Sequence, residues 1–338
     1  MIRQGLRHGV WVLLLLHCSV APLAAQTEVV NAFKSIRNTT VWPVSQSTLD
    51  AIESTFGPRI QVSTNAYDWH RGIDIDAPLG IPVLAAAAGE LWNVTTFTDG
   101  GTTVILRHTF PAPVTYAGKS LSRYYTFYMH LNSVAADLVT ADQAGQHPAV
   151  AVGQVIGAVG HSGTAVGDHL HFELRVGSQC SLEYQLANPT SSCSGYGFDP
   201  AMHSMLLFPP LTPDMTLTLL KTPTGKANGQ VRFGSPDEQP LLNRIEYAIK
   251  DRRSGKVVAS HILDFNQRIG FNATSTLALD TADTTKPYMS PLTFGTTATR
   301  YQTDVIIPKT FTGSFSGSNY QTTLTAIDIW GISVVKSW

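Results

Sequence analysis

Gly160-His161-Ser162-Gly163 runs on to Gly167-Asp168-His169-Leu170-His171-Phe172-Glu173-Leu174-Arg175. The second half reads as a β-strand. Phe172, Leu174 and Val176 alternate with polar residues, and alternate residues of a strand share a face. His169, His171 and Glu173 therefore line one face. Two imidazoles one pleat apart can both reach one metal ion, or one can ligate while the other handles protons. A bare His-x-His fits a solvated polar face equally well. Gly160, Gly163 and Gly167 precede this one, as a tight loop feeding a strand into a site would require. The pair alone supplies too few ligands, so the others must lie elsewhere in the chain.

Upstream, Asp68-Trp69-His70-Arg71-Gly72-Ile73-Asp74-Ile75-Asp76-Ala77-Pro78 repeats the pattern, with Ile73 and Ile75 alternating against Asp74 and Asp76. Pro82–Ala85, Gly89–Val94 and Thr103–His108 read as strands. Residues 109–122 hold two prolines and a glycine and read as a loop. An aromatic strand from Tyr124 ends near His130, and Val152–Gly157 leads into the opening stretch. Thr48–Glu53 reads as a short helix capped by Ser47, and Phe56–Arg59 as a turn. Short strands punctuated by glycine predict a mainly β, antiparallel domain.

The chain has 338 residues, 14% charged and 43% hydrophobic, with a formal net charge of −1. This composition fits neither a nucleic-acid binder nor a disordered protein. Residues 1–25 read as a secretory signal: Arg3 and Arg7, then Val10–Leu16, then Ala21-Pro22-Leu23-Ala24-Ala25. The apolar run is well short of the ~20 residues a membrane span needs. The expected location is therefore outside the cytoplasm. Cys18 leaves with the signal. Cys180 and Cys193 remain and read as a disulfide, closing a loop worth roughly 3 kcal/mol on the chain-entropy model. Residues 26–41 read as a loose lead-in. Pro209-Pro210 and Thr212-Pro213 mark a linker. The expected boundaries are 42–208 for the site-bearing domain and 213–338 for a small β-sandwich-like domain. The latter shows alternating apolar series at Met215, Leu217 and Leu219 and at Ile245, Tyr247 and Ile249.

Catalytic zinc takes three protein ligands and keeps one position open. His70, Asp74 and His171 supply that count, for one Zn2+ per chain. His130 and His169 remain, suited to moving protons and stabilising developing charge. Asp76 reads as shaping the following proline turn. Glu173 reads either as orienting a ligand histidine or as an exposed strand residue. His108 reads as structural, and His147, His203 and His261 carry no signal.

Together these residues carry a resemblance. The chain resembles the lysostaphin-type (LytM-like) zinc metallopeptidases that cut peptidoglycan. The matching pieces, in the family's order, are Trp42-Pro43-Val44, Phe56–Arg59, His70-Arg71-Gly72-Ile73-Asp74, Pro78–Val83, Tyr128-Met129-His130-Leu131 and His169-Leu170-His171-Phe172-Glu173. They cover about residues 42–201. The resemblance implies a lysostaphin-like antiparallel fold (a duplicated hybrid motif), zinc on His70, Asp74 and His171, and catalytic roles for His130 and His169. It also implies peptidoglycan peptides as the partner. Asp168 stands where proline is usual, His161 where a small polar residue is usual, and residues 109–122 look like an insertion. Two other readings belong to relatives: a non-catalytic activator of wall hydrolases, which lacks ligands that are all present here, and a secreted protease acting on proteins.

Overall fold

A computed structural model of the chain describes residues 21–45, 51–54, 56–61, 66–116, 119–177, 201–208, 215–222, 228–235, 242–264, 287–289, 301–312, 315, 317–329 and 331–338. Most of the expected signal segment, both Cys180 and Cys193, and the proline linker lie outside the described residues.

The site rests on one antiparallel sheet. In spatial order it runs β1 (Ile52–Ser54), β4 (Gly72–Asp76), β12 (His169–Val176), β8 (Lys119–Met129), β7 (Gly101–Tyr116), β6 (Gly89–Phe97) and β10 (Ala149–Val150), with β13 (Ala201–Met202) also on β12. Register fixes its two faces. His171 lies opposite Asp74 on one side and Met129 on the other, while Phe172 lies opposite Ile73 and Tyr128. Directly opposed residues point the same way. One face thus carries Ile73, Ile75, Leu170, Phe172, Leu174, Tyr128, Leu106 and Leu91, all fully buried in the main core. The other carries Asp74, His171, Glu173 and Arg175. The alternation seen in the sequence is the alternation of the folded sheet. A hairpin of β2 (Gly57–Gln61) and β3 (Ala66–His70) delivers His70 beside it. A three-stranded sheet of β5 (Pro82–Leu84), β11 (Val155–Ala158) and β9 (Ser133–Val134) closes the far side, with helix α2 at Ala136–Gln143.

Four local expectations fail. The lead-in is not loose: helix α1 spans Ala21–Ile36, running across the expected cleavage point, and a 3-10 turn follows at Arg37–Thr39. Val29 and Phe33, one turn apart, are fully buried, with Val30 and Ile36 beside them. That is a helical stripe, and packing against the sheet makes it pay no penalty for its short length. The Phe33 ring meets Phe110 and Tyr124 edge-on, each at 5.3 Å. Within the segment 109–122 expected to be a loop, the described residues 109–116 and 119–122 are instead paired strand, the ends of β7 and β8. The ladder is irregular between Thr109 and Val114, where Pro111 and Pro113 sit. Prolines fit a strand where ladder bonds are already interrupted. Ile52 and Glu53, read as the end of a helix, belong to β1, since pairing with β4 overrides local propensity, while residues 48–50 of that expected helix lie outside the described residues. Gly57–Arg59, read as a turn, is the start of β2.

The C-terminal segment forms two four-stranded antiparallel sheets. One has β14 (Thr216–Lys221), β15 (Gly229–Ser235), β19 (Tyr301–Ile307) and β18 (Tyr288–Met289). The other has β17 (Val257–Asp264), β16 (Leu242–Asp251), β20 (Tyr320–Asp328) and β21 (Ser333–Ser337). Met215, Leu217, Val231, Phe233, Ile245, Tyr247, Ile249 and Leu324 from both sheets share a second core.

Candidate metal centre

His70 ends β3, Asp74 is the middle of β4 and His171 is the third residue of β12. Chain continuity and sheet pairing bring them together. Only Arg71 separates β3 from β4, and antiparallel pairing sets Asp74 beside His171. His70 Nε2 lies 2.9 Å from His171 Nδ1 and 3.1 Å from Asp74 Oδ1, and His171 Nδ1 lies 2.7 Å from Asp74 Oδ1. Among the described residues this is the cluster of three or more potential ligands able to hold a metal ion. All three side chains are buried. Gly72 is required here. A Cβ on it would press on the Phe172 carbonyl and on His171 Nε2.

The outward-facing ring nitrogens each have a partner. His171 Nε2 faces Glu173 Oε1 at 3.1 Å and donates to it; His70 Nδ1 lies 3.3 Å from Ser54 Oγ. Glu173 is in turn bonded by Arg175 Nε at 2.6 Å, and the Arg175 guanidinium covers the Phe127 ring at 4.0 Å. His70 Nε2 and His171 Nδ1 face the Asp74 carboxylate. Two imidazole nitrogens and one carboxylate, with each histidine held from behind, form a donor set that suits zinc. Burial alone would raise the Asp74 carboxyl, but His70 and His171 beside it hold it well below the usual carboxylate range. Burial likewise opposes charge on His171, yet its bonds to Asp74 and Glu173 lift it to about 9. An imidazole ligates only without that proton. Glu173 is held well below the usual range: burial would raise it, and Arg175 and His171 outweigh burial.

His130 and His169 line the same site. Their rings meet edge-on at 4.8 Å, and His130 meets His171 at 5.8 Å. His169 Nε2 is 3.7 Å from Asp74 Oδ1. His130 Nδ1 donates to the Ser162 carbonyl at 2.8 Å, which leaves Nε2 as its acceptor. Burial, then the charge of His171, brings His130 down to about 4. His130 is also the non-glycine residue with positive φ, 61°, among those described. A backbone held there costs on the order of 1 kcal/mol or more, and such strain gathers at functional sites.

Residues 68–182 match the profile of Peptidase family M23. Over this stretch the chain is similar to peptidase family M23. A "DD-carboxypeptidase/endopeptidase Mpg" of Neisseria meningitidis serogroup B is 32% identical over 139 residues, 41% of this chain and 27% of the relative. The "Peptidoglycan DD-endopeptidase ShyC" of Vibrio cholerae is 31% identical over 126 residues, 37% of this chain and 24% of the relative. The chain thus spans about a quarter of the length of these relatives. Among solved structures, a zinc-containing peptidase from Vibrio cholerae is 28% identical, over 40% of this chain and 36% of that one, with a TM-score of 0.31.

All five residues expected from the sequence lie within the M23 segment and meet in one place. The sequence reading missed Arg175, Ser54 and Ser162. Arg175 was legible, since it continues the His169, His171, Glu173 face by one more pleat. Ser54 and Ser162 act through spatial contacts that no local pattern marks. Asp76 is exposed at the end of β4, and His203 is buried behind the site, with Met205 N donating to its Nδ1 at 3.3 Å. His108 is structural, as expected. Its Nδ1 donates to the Ala88 carbonyl at 2.9 Å, and its Nε2 lies 2.8 Å from Thr126 Oγ1.

Proposed function

We propose that the chain is an exported zinc-dependent endopeptidase that hydrolyses peptide cross-links of bacterial peptidoglycan. The observation that carries this is the convergence of His70, Asp74 and His171 within 2.7–3.1 Å of one another, with His130 and His169 over the same point. The names of the M23 relatives support the substrate class. No helix among the described residues is long and apolar enough to cross a membrane.

His70, Asp74 and His171 would hold one Zn2+, which would supply Lewis-acid activation of a water for amide hydrolysis. The protein's own contribution is orientation and proton handling. Glu173 and Ser54 lock the ligand rings. His130, neutral with its Nδ1–H given to Ser162, offers Nε2 to take or return a proton or to bond the oxygen that gains charge. His169 stands across from it with Nε2 toward Asp74, placed to serve the leaving amine. The five intact positions favour an enzyme over a non-catalytic activator.

The test is digestion of purified peptidoglycan of several cross-link types by the zinc-loaded protein, with products identified by mass. Release of uncross-linked stem peptides is expected, and its abolition by chelator and by Asp74→Ala. Cleavage of protein substrates with intact cross-links would overturn the substrate assignment.

A further inference from the structure

His161 and Asp168 are the two residues around the His-x-His strand that depart from the lysostaphin-type pattern, and the site above uses neither side chain. They meet each other. His161 Nδ1 lies 2.6 Å from Asp168 Oδ1, although His161 is exposed and Asp168 only half-buried. The contact stands one step beyond the bridge between Gly160 and His169, where His169 N donates to the Gly160 carbonyl at 3.1 Å. The loop between them is therefore closed twice at its base, once by backbone and once by side chains.

That loop carries a carbonyl for each of the two non-ligand histidines. Ser162 O accepts from His130 Nδ1 at 2.8 Å, and Gly167 O faces His169 Nδ1 at 3.3 Å. The two ends of the loop are anchored very differently. Ser162 is pinned. Its Oγ donates to the Leu131 carbonyl and accepts from Thr102 N, both at 2.9 Å. Gly163 turns with φ 79°, and a Cβ there would strike the Asp99 carbonyl. Thr164 N then bonds that same carbonyl at 2.9 Å. Past Thr164 the anchoring stops. Among the described residues, 165–168 make no backbone–backbone bond; Val166 is 64% exposed, and a Cβ on Gly167 would meet nothing within 4 Å. What ties this end down is the Asp168 bond to His161.

We propose that His161 and Asp168 are positioning residues. Their side-chain bond clasps the 161–168 loop so that the Gly167 carbonyl holds His169 as its Nδ1–H tautomer, with Nε2 presented to the site. The tautomer of a neutral imidazole is set by the bond its other nitrogen makes. His130 needs no such help, because Ser162 is held independently. The catalytic consequence rests on the hydrolase reading above; the tautomer consequence does not.

The test uses the zinc-loaded full chain and the variants His161→Ala, Asp168→Ala, the double variant and Asp168→Asn. Ring-nitrogen shifts of 15N-labelled histidine, with His169→Gln assigning the resonance, report the tautomer directly. In the parent, His169 is expected as one Nδ1–H species. In the alanine variants it is expected as a mixture of both tautomers, while His130 stays single. On a soluble cross-linked peptide, kcat is expected to fall roughly fivefold, the modest effect of an exposed pair, with KM and zinc content unchanged. The double variant should be no worse than either single one, since both remove the same bond. Asp168→Asn keeps an acceptor oxygen and should retain the parent tautomer and most of the rate. Unchanged His169 shifts in the alanine variants, or losses that add in the double variant, would overturn the clasp. If the parent binds zinc yet cleaves no cross-linked peptide, the hydrolase reading fails and the shifts alone decide the clasp.

Discussion

Glu173 is the most consequential single residue that is not itself expected on the metal. It is buried, takes the Nε2–H of His171 and is paired to Arg175. Glu173→Gln keeps an acceptor for His171 but leaves the Arg175 charge uncompensated. Zinc affinity should fall about 10–100-fold, the usual cost of losing a partner behind a ligand. Competition with a chelating dye measures it, and unchanged affinity would place Glu173 outside the centre. His130→Ala and His169→Ala should keep full zinc and lose about 10²–10⁴ in rate, the range for a general acid or base. A rate near the parent's would remove both from the chemistry. His108 belongs to a different calculation. Burial lowers it to about 4, against its bond to Ala88, whereas the unfolded chain titrates it near 6.5. Above pH 6.5 both states are neutral and stability is level. As pH falls from 6.5 to 4 the unfolded state takes the proton first, so stability is lost. The loss is on the order of 3 kcal/mol across the window. His203, brought down to about 3 mainly by burial, adds to the same slope. Urea midpoints measured between pH 7 and 4 should decline, and His108→Gln should flatten part of that decline.

At the scale of elements, β12 joins the two functions of the sheet. One face of its eight residues holds the site and the other holds the core, and every one of them is buried. It is flanked by β4 and β8, so its ladder is paired on both sides. The long β7–β8 hairpin and α1 depend on each other. Phe110, Val114, Tyr116, Leu121 and Tyr124 would be an exposed apolar surface without Val29 and Phe33 over them. Glu28 Oε2 also accepts from Thr115 N at 2.8 Å. Phe33→Ala should therefore cost about 3–5 kcal/mol, as large buried rings do, while zinc stoichiometry holds. Denaturant unfolding with metal analysis checks both. A loss under 1 kcal/mol would mean that α1 is not seated on the hairpin.

For the whole molecule, the question is how far the C-terminal sheets stand apart. They have their own core, and all the site residues precede them. Yet Ile329, fully buried, belongs to the first core, and Gly331 lies against the Lys34 side chain of α1. We propose that the two units fold around separate cores and are coupled through this one plug. A chain ending after Phe208 should then bind one zinc and cleave a soluble cross-linked peptide. It should melt below the full chain, because the place of Ile329 is left open. In the full chain, Ile329→Ala should lower the melting temperature in the same direction. An insoluble or metal-free shortened chain would show that the cores are not separable, and an unchanged melting temperature would show no coupling.

The period-two alternation of Ile73-Asp74-Ile75-Asp76 and of Leu170-His171-Phe172-Glu173 determined, without any structure, that the core and the candidate ligands Asp74 and His171 lie on opposite faces of strands. That is a local property of the pleat, and it survives whatever the strands pair with. The ordered motifs likewise marked His70, His130, His169 and His171 as one set. The tertiary structure decided the rest. It made α1 a seated helix and turned residues 109–116 and 119–122 into paired strands, because buried partners far along the chain outweigh local signals such as the two prolines. It set His70 against His171, 101 residues away, and brought His161 to Asp168 across a loop. A sequence pattern reports which way a side chain points. Which partner it meets depends on long-range pairing, and only the fold supplies that.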